Sequence, residues 1–210
     1  MKVDAPHLLT STDAAYPANL RAGLLAVPPP VAAWGNLAIL GDELLAIYCS
    51  ARCPGNVILR LSDLAVALRT AGATVVGGFH SPLEVECLRT LLRGAGRLVV
   101  CPARSIEGMR LPVEWQAAVV AGRLLLLSPF EQAQRITSDT SLERNRFVAA
   151  LADQVLIAHA AEGSRTEQLA REVAAAGKTL YTLPSPDNAN LIALGAQIHP
   201  LAEGATDGQL

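Results

Sequence analysis

Aromatic side chains are scarce in this chain. Phe, Trp and Tyr together make up 4% of its 210 residues. The core must therefore be built from Ala, Val, Leu and Ile, and base stacking on aromatic rings can contribute little to any nucleic-acid affinity, so little sequence preference is expected. An excess of positive charge is also missing. With 17 Lys and Arg against 19 Asp and Glu, the formal net charge is −2. Any grip on phosphate has to come from a local basic patch rather than from overall attraction. The four cysteines (Cys49, Cys53, Cys87 and Cys101) form no CxxC pair and have no His cluster nearby. That spacing does not suit zinc, and no metal or cofactor is expected. Cys49 and Cys101 end apolar runs and read as buried free thiols. No apolar run reaches the length of a membrane span, and no basic segment followed by an apolar stretch opens the chain. A reduced, cytoplasmic protein without membrane contact is the expectation.

Aliphatic residues are abundant. Hydrophobic residues make up 51% of the chain, a composition that favours buried parallel strands flanked by Ala- and Leu-rich helices. A chain this long buries on the order of 70% of its unfolded surface and needs no staple. Residues 1–30 are Pro-rich and end in Pro28-Pro29-Pro30; residues 1–40 read as an N-terminal arm packing on the domain, with one short helix near Asn19–Leu25. Residues 41–200 alternate between two periods. Strands are predicted at Leu44–Ser50, Ala73–Gly78, Arg97–Cys101, Arg123–Leu127, Gln154–His159 and Lys178–Leu183. Helices are predicted at Asn56–Ala71, Pro82–Arg93, Pro112–Ala121, Leu142–Ala152, Arg165–Ala176 and Asn188–Ala196. Residues 201–210 read as a flexible tail. Six strands interleaved with helices predict an α/β fold: an extended Rossmann-like, doubly wound, mostly parallel sheet with helices on both faces. In such sheets ligands sit at the carboxyl ends of the strands, near the point where strand order reverses.

Five segments fall at those ends. Ser50-Ala51-Arg52 follows the first strand and precedes a helix N-terminus, an arrangement that suits an anion, with Arg52 offering a fork of donors. It is not a GxGxxG turn, so the dinucleotide fingerprint is absent. Gly77-Gly78 follows the second strand and permits close backbone approach. Next to it, Ser81 reads as a helix cap and His80 as an exposed side chain. Arg104, in the loop after the third strand, brings another cation to the same rim. Glu143-Arg144-Asn145-Arg146 is placed at the opening of a helix, where two arginines oppose the helix dipole, a cost that an anion contact would offset. Gly163-Ser164-Arg165-Thr166 is a further anion-ready turn, in which Ser164 or Thr166 also serves as a cap. For each segment the plainer account remains open: an ordinary turn, a cap or a solvated arginine. No Ser–His–acid arrangement and no close carboxylate pair can be read, so catalysis is not expected.

Taken in order, these pieces resemble the DprA/Smf DNA-processing family. The resemblance rests on Tyr16-Pro17 with Leu20, Pro29-Pro30, Trp34-Gly35-Asn36, Ser50-Ala51-Arg52, Gly77-Gly78, Arg144-Asn145-Arg146, Gly163-Ser164 to Thr166, Asn190-Leu191-Ile192 and Gly195-Ala196, and it covers roughly residues 16–196. It implies an extended Rossmann fold, binding of single-stranded DNA, a homodimer and a recombinase partner. By the same resemblance, Arg52 matches the phosphate-binding arginine of the family's G-S-R turn, with Ser50 and Ala51 as its cradle. Arg144, Asn145 and Arg146 match the R-N-R segment, and Ser164 and Thr166 the hydroxyls of the later turn. The sequence departs from the family in places. Cys49 stands where the family has Gly, and Phe79-His80-Ser81-Pro82-Leu83-Glu84 replaces a G-I-D…A-H segment. The later turn is shortened. His159 takes the place of an acidic residue, and the chain after Ala196 is too short for a winged helix. The P-G-G-x-G-T-x-x-E motif of related phosphoribohydrolases is absent, which speaks against that activity. Two ligands follow as readings: single-stranded DNA, or a small nucleotide-derived molecule held by a sensor or a phosphoribohydrolase-like enzyme.

Overall fold

The structure is a computed structural model that describes residues 1–3, 5–21, 24–132 and 135–203. Its centre is a nine-stranded sheet. The strands are β1 (His7–Leu9), β2 (Val31–Gly35), β3 (Leu44–Tyr48), β4 (Thr74–Gly77), β5 (Leu98–Val100), β6 (Leu124–Ser128), β7 (Gln154–Ile157), β8 (Thr179–Thr182) and β9 (Gln197–Ile198). Their spatial order is β1-β2-β6-β5-β4-β3-β7-β8-β9. From β6 to β9 every pairing is parallel, while β1 and β2 join antiparallel at one end. The helices are α1 (Ala18–Arg21), α2 (Gly55–Ala71), α3 (Pro82–Leu92), α4 (Val113–Val120), α5 (Ser138–Leu151), α6 (Arg165–Ala175), α7 (Ala189–Ala193) and α8 (Pro200–Glu203).

The pleat explains the two layers. In β3, Leu44, Ala46 and Tyr48 face a core shared with α5 and α6, while Leu45, Ile47 and the following Cys49 face one shared with α2 and α3. Every residue of β3 is buried, as expected for a central parallel strand covered on both faces. Helix α2 ends at Gly72, whose φ of 68° is a left-handed conformation that glycine adopts without strain. Cys49, Cys87 and Cys101 are buried, and all four thiols are free.

The six predicted strands are present. Residues 1–40 differ from the expectation: they supply β1 and β2, which extend the sheet rather than lie on it. These strands are short and flanked by proline, so they lack the alternation that marks a strand in sequence. The short helix expected near Asn19–Leu25 is α1, and residues 22–23 of that segment lie outside the described ones. Of the expected tail, Leu201–Glu203 belong to α8, and residues 204–210 lie outside the described ones. Helix α5 starts at Ser138, before the predicted Leu142, because Thr137 caps it and forms a reciprocal capping box with Thr140. Arg144 and Arg146 therefore sit mid-helix, and the dipole argument made for them does not apply.

The chain runs outward through β3, β4, β5 and β6, and α5 then returns it to β7 on the other side of β3. The order reverses between β3 and β7, which places the crevice beside Ser50 and His159. No described helix is long and apolar enough to cross a membrane.

Candidate functional site

The crevice is closed at its base by main-chain bonds. Ala158 N donates to Tyr48 O at 2.8 Å and Ser50 N to His159 O at 3.0 Å. Ser50 is 8% exposed, and its Oγ accepts from Ala161 N at 3.4 Å. Ser50 thus ties the β3 turn to the β7 turn. Ala51 and Arg52 stand out beyond it, both exposed. Arg52 makes no ion pair among the described residues. Behind it, α2 begins at Pro54, which contributes no side-chain cap, so the first N–H groups of the helix are left to solvent or a ligand.

Arg144 reaches the same edge from α5. It is 3% exposed. Its Nη1 donates to Cys101 O at 3.1 Å and its Nε to Asn145 Oδ1 at 2.8 Å. Cys101 O lies just beyond β5, and Gly78 just beyond β4. A Cβ built on Gly78 would lie 1.7 Å from Arg144 Nη1. Gly78 is therefore the seat of this guanidinium, and only glycine leaves the space. Gly77 makes room for the Phe79 ring, 3.0 Å from where a Cβ would stand. No carboxylate lies within 4.0 Å of Arg144 among the described residues. Asn145 contributes structure as well: its backbone O accepts from Tyr48 Oη at 2.8 Å. Burial pushes the Tyr48 phenol well above its usual pKa, while the neighbouring Arg144 cation pulls the other way.

Arg104 is exposed in the loop after β5, and its backbone O accepts from Ser128 Oγ at 2.8 Å. Arg146 goes elsewhere. It forms a two-pronged ion pair with Glu172 of α6, at 2.8 and 2.6 Å, and lines a hollow with Leu24, Leu25 and Ala175. Ser164 caps α6, accepting from Glu167 N at 3.1 Å. Thr166 follows it in the first turn, half-buried. The structure thus brings Ser50, Ala51, Arg52, Gly77, Gly78, Arg104, Arg144 and Asn145 together around the ends of β3, β4 and β5. Ser164 and Thr166 lie on the far side of the crevice, and Arg146 does not reach the rim.

Two positions carry more than the sequence suggested. Glu84, 8% exposed, accepts from Cys49 N, His80 N and Ser81 N at 3.0, 2.9 and 3.3 Å. One buried carboxylate pins the β3 and β4 turns together. The S-x-x-E spacing of Ser81 and Glu84 is a capping-box signature that could have revealed it. The other is His159, 7% exposed, whose Nδ1 lies 2.9 Å from Asn188 Oδ1. Asn188 lies in the turn after β8, which is tied to α2 by the bond from Asn56 Nδ2 to Ser185 Oγ at 2.9 Å. Its role depends on a distant strand turn, and no local pattern announces it.

Among solved structures, DNA processing protein A of Streptococcus pneumoniae superposes with a TM-score of 0.76 at 17% identity, over 92% of this chain and 71% of that one. DNA processing protein A of Helicobacter pylori, described as binding single-stranded DNA, superposes with a TM-score of 0.74 at 22% identity, over 97% and 95% of the two chains. The molybdenum cofactor binding protein of Rippkaea orientalis is more distant, with a TM-score of 0.50 at 10% identity, over 75% and 87%. These likenesses establish the extended Rossmann fold. No curated protein matches the sequence. The profile of DNA recombination-mediator protein A, however, matches residues 7–206, and the chain belongs to that family.

Proposed function

We propose that this protein binds single-stranded DNA, without catalysis, by laying its phosphate backbone across the ends of β3, β4 and β5. The observation that carries the reading is Arg144: a buried cation seated on Gly78, with no carboxylate within 4.0 Å among the described residues. Burying a charge is costly unless a partner offsets the cost. Here one backbone and one amide oxygen take two of its five N–H donors, and the charge itself is left uncancelled beside a rim where Arg52 and Arg104 form no ion pair among the described residues. A phosphate backbone supplies the missing counter-charge at spaced intervals. Membership in the family and the Helicobacter pylori relative's single-stranded ligand support the same choice. Dimerisation and a recombinase partner accompany this reading as family expectations.

The test is a titration of a short single strand of mixed sequence at several salt concentrations. Affinity should fall with salt, at a logarithmic slope of about 0.7 per phosphate neutralised. Binding that ignores salt, or no binding, would overturn the proposal.

One observation favours a small nucleotide instead. An open depression of about 360 Å³ lies beside His159, within the range of small-ligand sites. That reading expects a mononucleotide to raise the melting temperature and a single strand not to.

A further inference from the structure

Cys49 and Cys53 bracket the turn that carries Arg52, and neither contributes to the proposed grip on DNA. Cys49 directly follows β3 and is 5% exposed. It faces the core layer shared with α2 and α3. Cys53 stands just before Pro54 at the start of α2, is half-buried and packs against the same layer. The chain thus leaves that layer after Cys49, exposes Ala51 and Arg52, and returns to it at Cys53. This return brings the two thiols within hydrogen-bonding reach of each other.

The two ends of the turn are held unequally. Cys49 N donates to Glu84 Oε1 at 3.0 Å, and the next residue, Ser50, donates from its N to His159 O at 3.0 Å. No main-chain hydrogen bond holds Cys53 among the described residues. Beyond it there is room to move, since a Cβ built on Gly55 would meet nothing within 4 Å. Sulfurs joined in a disulfide lie about 2.05 Å apart, closer than two hydrogen-bonded thiols. Joining them draws Cys53 toward the fixed Cys49, and Arg52, its neighbour, moves with it.

We propose that Cys49 and Cys53 are a modification site: a reversible disulfide that closes over Ser50-Ala51-Arg52 and withdraws Arg52 from the rim. The withdrawal rests on the reading of the rim as a DNA site; the bond itself does not. The oxidant is a low-molecular-weight disulfide, RSSR. Burial raises both thiols above their ordinary value, and for Cys53 a hydrogen bond from Cys49 works the other way. Cys53, the less buried of the two, is the entry thiol. Its thiolate attacks one sulfur of RSSR, forms Cys53–S–SR and releases RS⁻. Cys49 then gives up its proton and attacks the Cys53 sulfur, which closes the intramolecular bond and releases the second RS⁻. The two RS⁻ take up the two protons that the cysteines lost. The thiol pair is oxidised by two electrons, and RSSR is reduced to two RSH.

The experiment incubates the whole protein with oxidised glutathione at about pH 8.5, which favours the thiolate. Remaining thiols are alkylated and the protein is digested with trypsin. Trypsin cuts after Arg52, so the peptide ending at Arg52 and the one running from Cys53 to Arg60 should stay linked until a reductant parts them. The oxidised protein should lose about 0.7 from the salt slope of single-strand binding, the share of one phosphate, and dithiothreitol should restore it. Cys53→Ser should bind like the reduced wild type with or without oxidant. Alkylation of all the cysteines, a glutathione adduct on Cys53 alone, or a link from Cys49 to Cys87, which lies in the same layer, would overturn the site. A linked peptide with an unchanged salt slope would overturn the withdrawal of Arg52. Failure of the reduced protein to bind a strand would overturn the rim and the withdrawal together, while the linked peptide decides the disulfide on its own.

Discussion

Arg144 and Arg146 stand two residues apart on α5 and have opposite fates. Two residues advance a helix by about 200°, which sends the side chains to opposite sides. Arg144 turns into the sheet, under Gly78, and is 3% exposed. Arg146 turns to α6, and its side chain is 42% exposed in a pair with Glu172. One charge is desolvated and uncancelled, the other solvated and neutralised. On the proposed reading the R-N-R triplet holds one binding arginine and one structural arginine, and they should respond differently to substitution.

The largest expected effect comes from closing the seat of Arg144. Gly78→Ala places a methyl group on the guanidinium, which must leave its bond to Cys101 O. Stability should fall by about 1–3 kcal/mol, the cost of leaving buried polar groups unpaired, and DNA affinity should be lost with it. Arg144→Met tests the charge itself. It leaves Cys101 O and Asn145 Oδ1 without their donor, so stability should again fall by about 1–3 kcal/mol, while the salt slope of DNA binding drops by about 0.7. A folded variant that keeps the wild-type affinity and salt slope would remove Arg144 from the site.

Arg52→Ala should be milder for the fold, since the side chain is exposed and touches nothing that holds the turn. Its stability change should stay within about 0.5 kcal/mol, with a similar drop in salt slope. Arg52 was also the residue most legible in sequence: it follows a buried strand and precedes a helix, and that context alone places it. The parallel core was legible for the same reason, because runs such as Leu44–Tyr48 and the helical spacing of Leu61, Leu64 and Leu68 are local. What escaped depends on distant partners. Nothing near Val31–Gly35 says that it pairs with Leu125–Ser128. Nothing near Arg144 says that Gly78 is its seat, and only the fold brings Asn188 to His159.

The smallest effect sharpens the comparison most. Arg146→Met should leave DNA affinity and its salt slope unchanged, since its charge is already answered and faces away from the rim. It should cost about 0.5 kcal/mol of stability, as partly solvated ion pairs do. That contribution depends on pH in a defined direction. Hydrogen bonds from Arg146 hold the Glu172 carboxyl below its ordinary value of 4.5, against the opposing effect of burial. A carboxylate with a lowered folded-state pKa contributes fully above its ordinary value and loses the contribution as pH falls through the lowered one. Melting curves of wild type and Arg146→Met should therefore differ at neutral pH and converge as pH falls through the lowered pKa of Glu172. The same acid titration applied to Arg144→Met should show no such convergence, because no carboxylate answers Arg144. If the Arg144 difference also closed in acid, a carboxylate would be paired with it, and the uncancelled charge on which the DNA site depends would not exist.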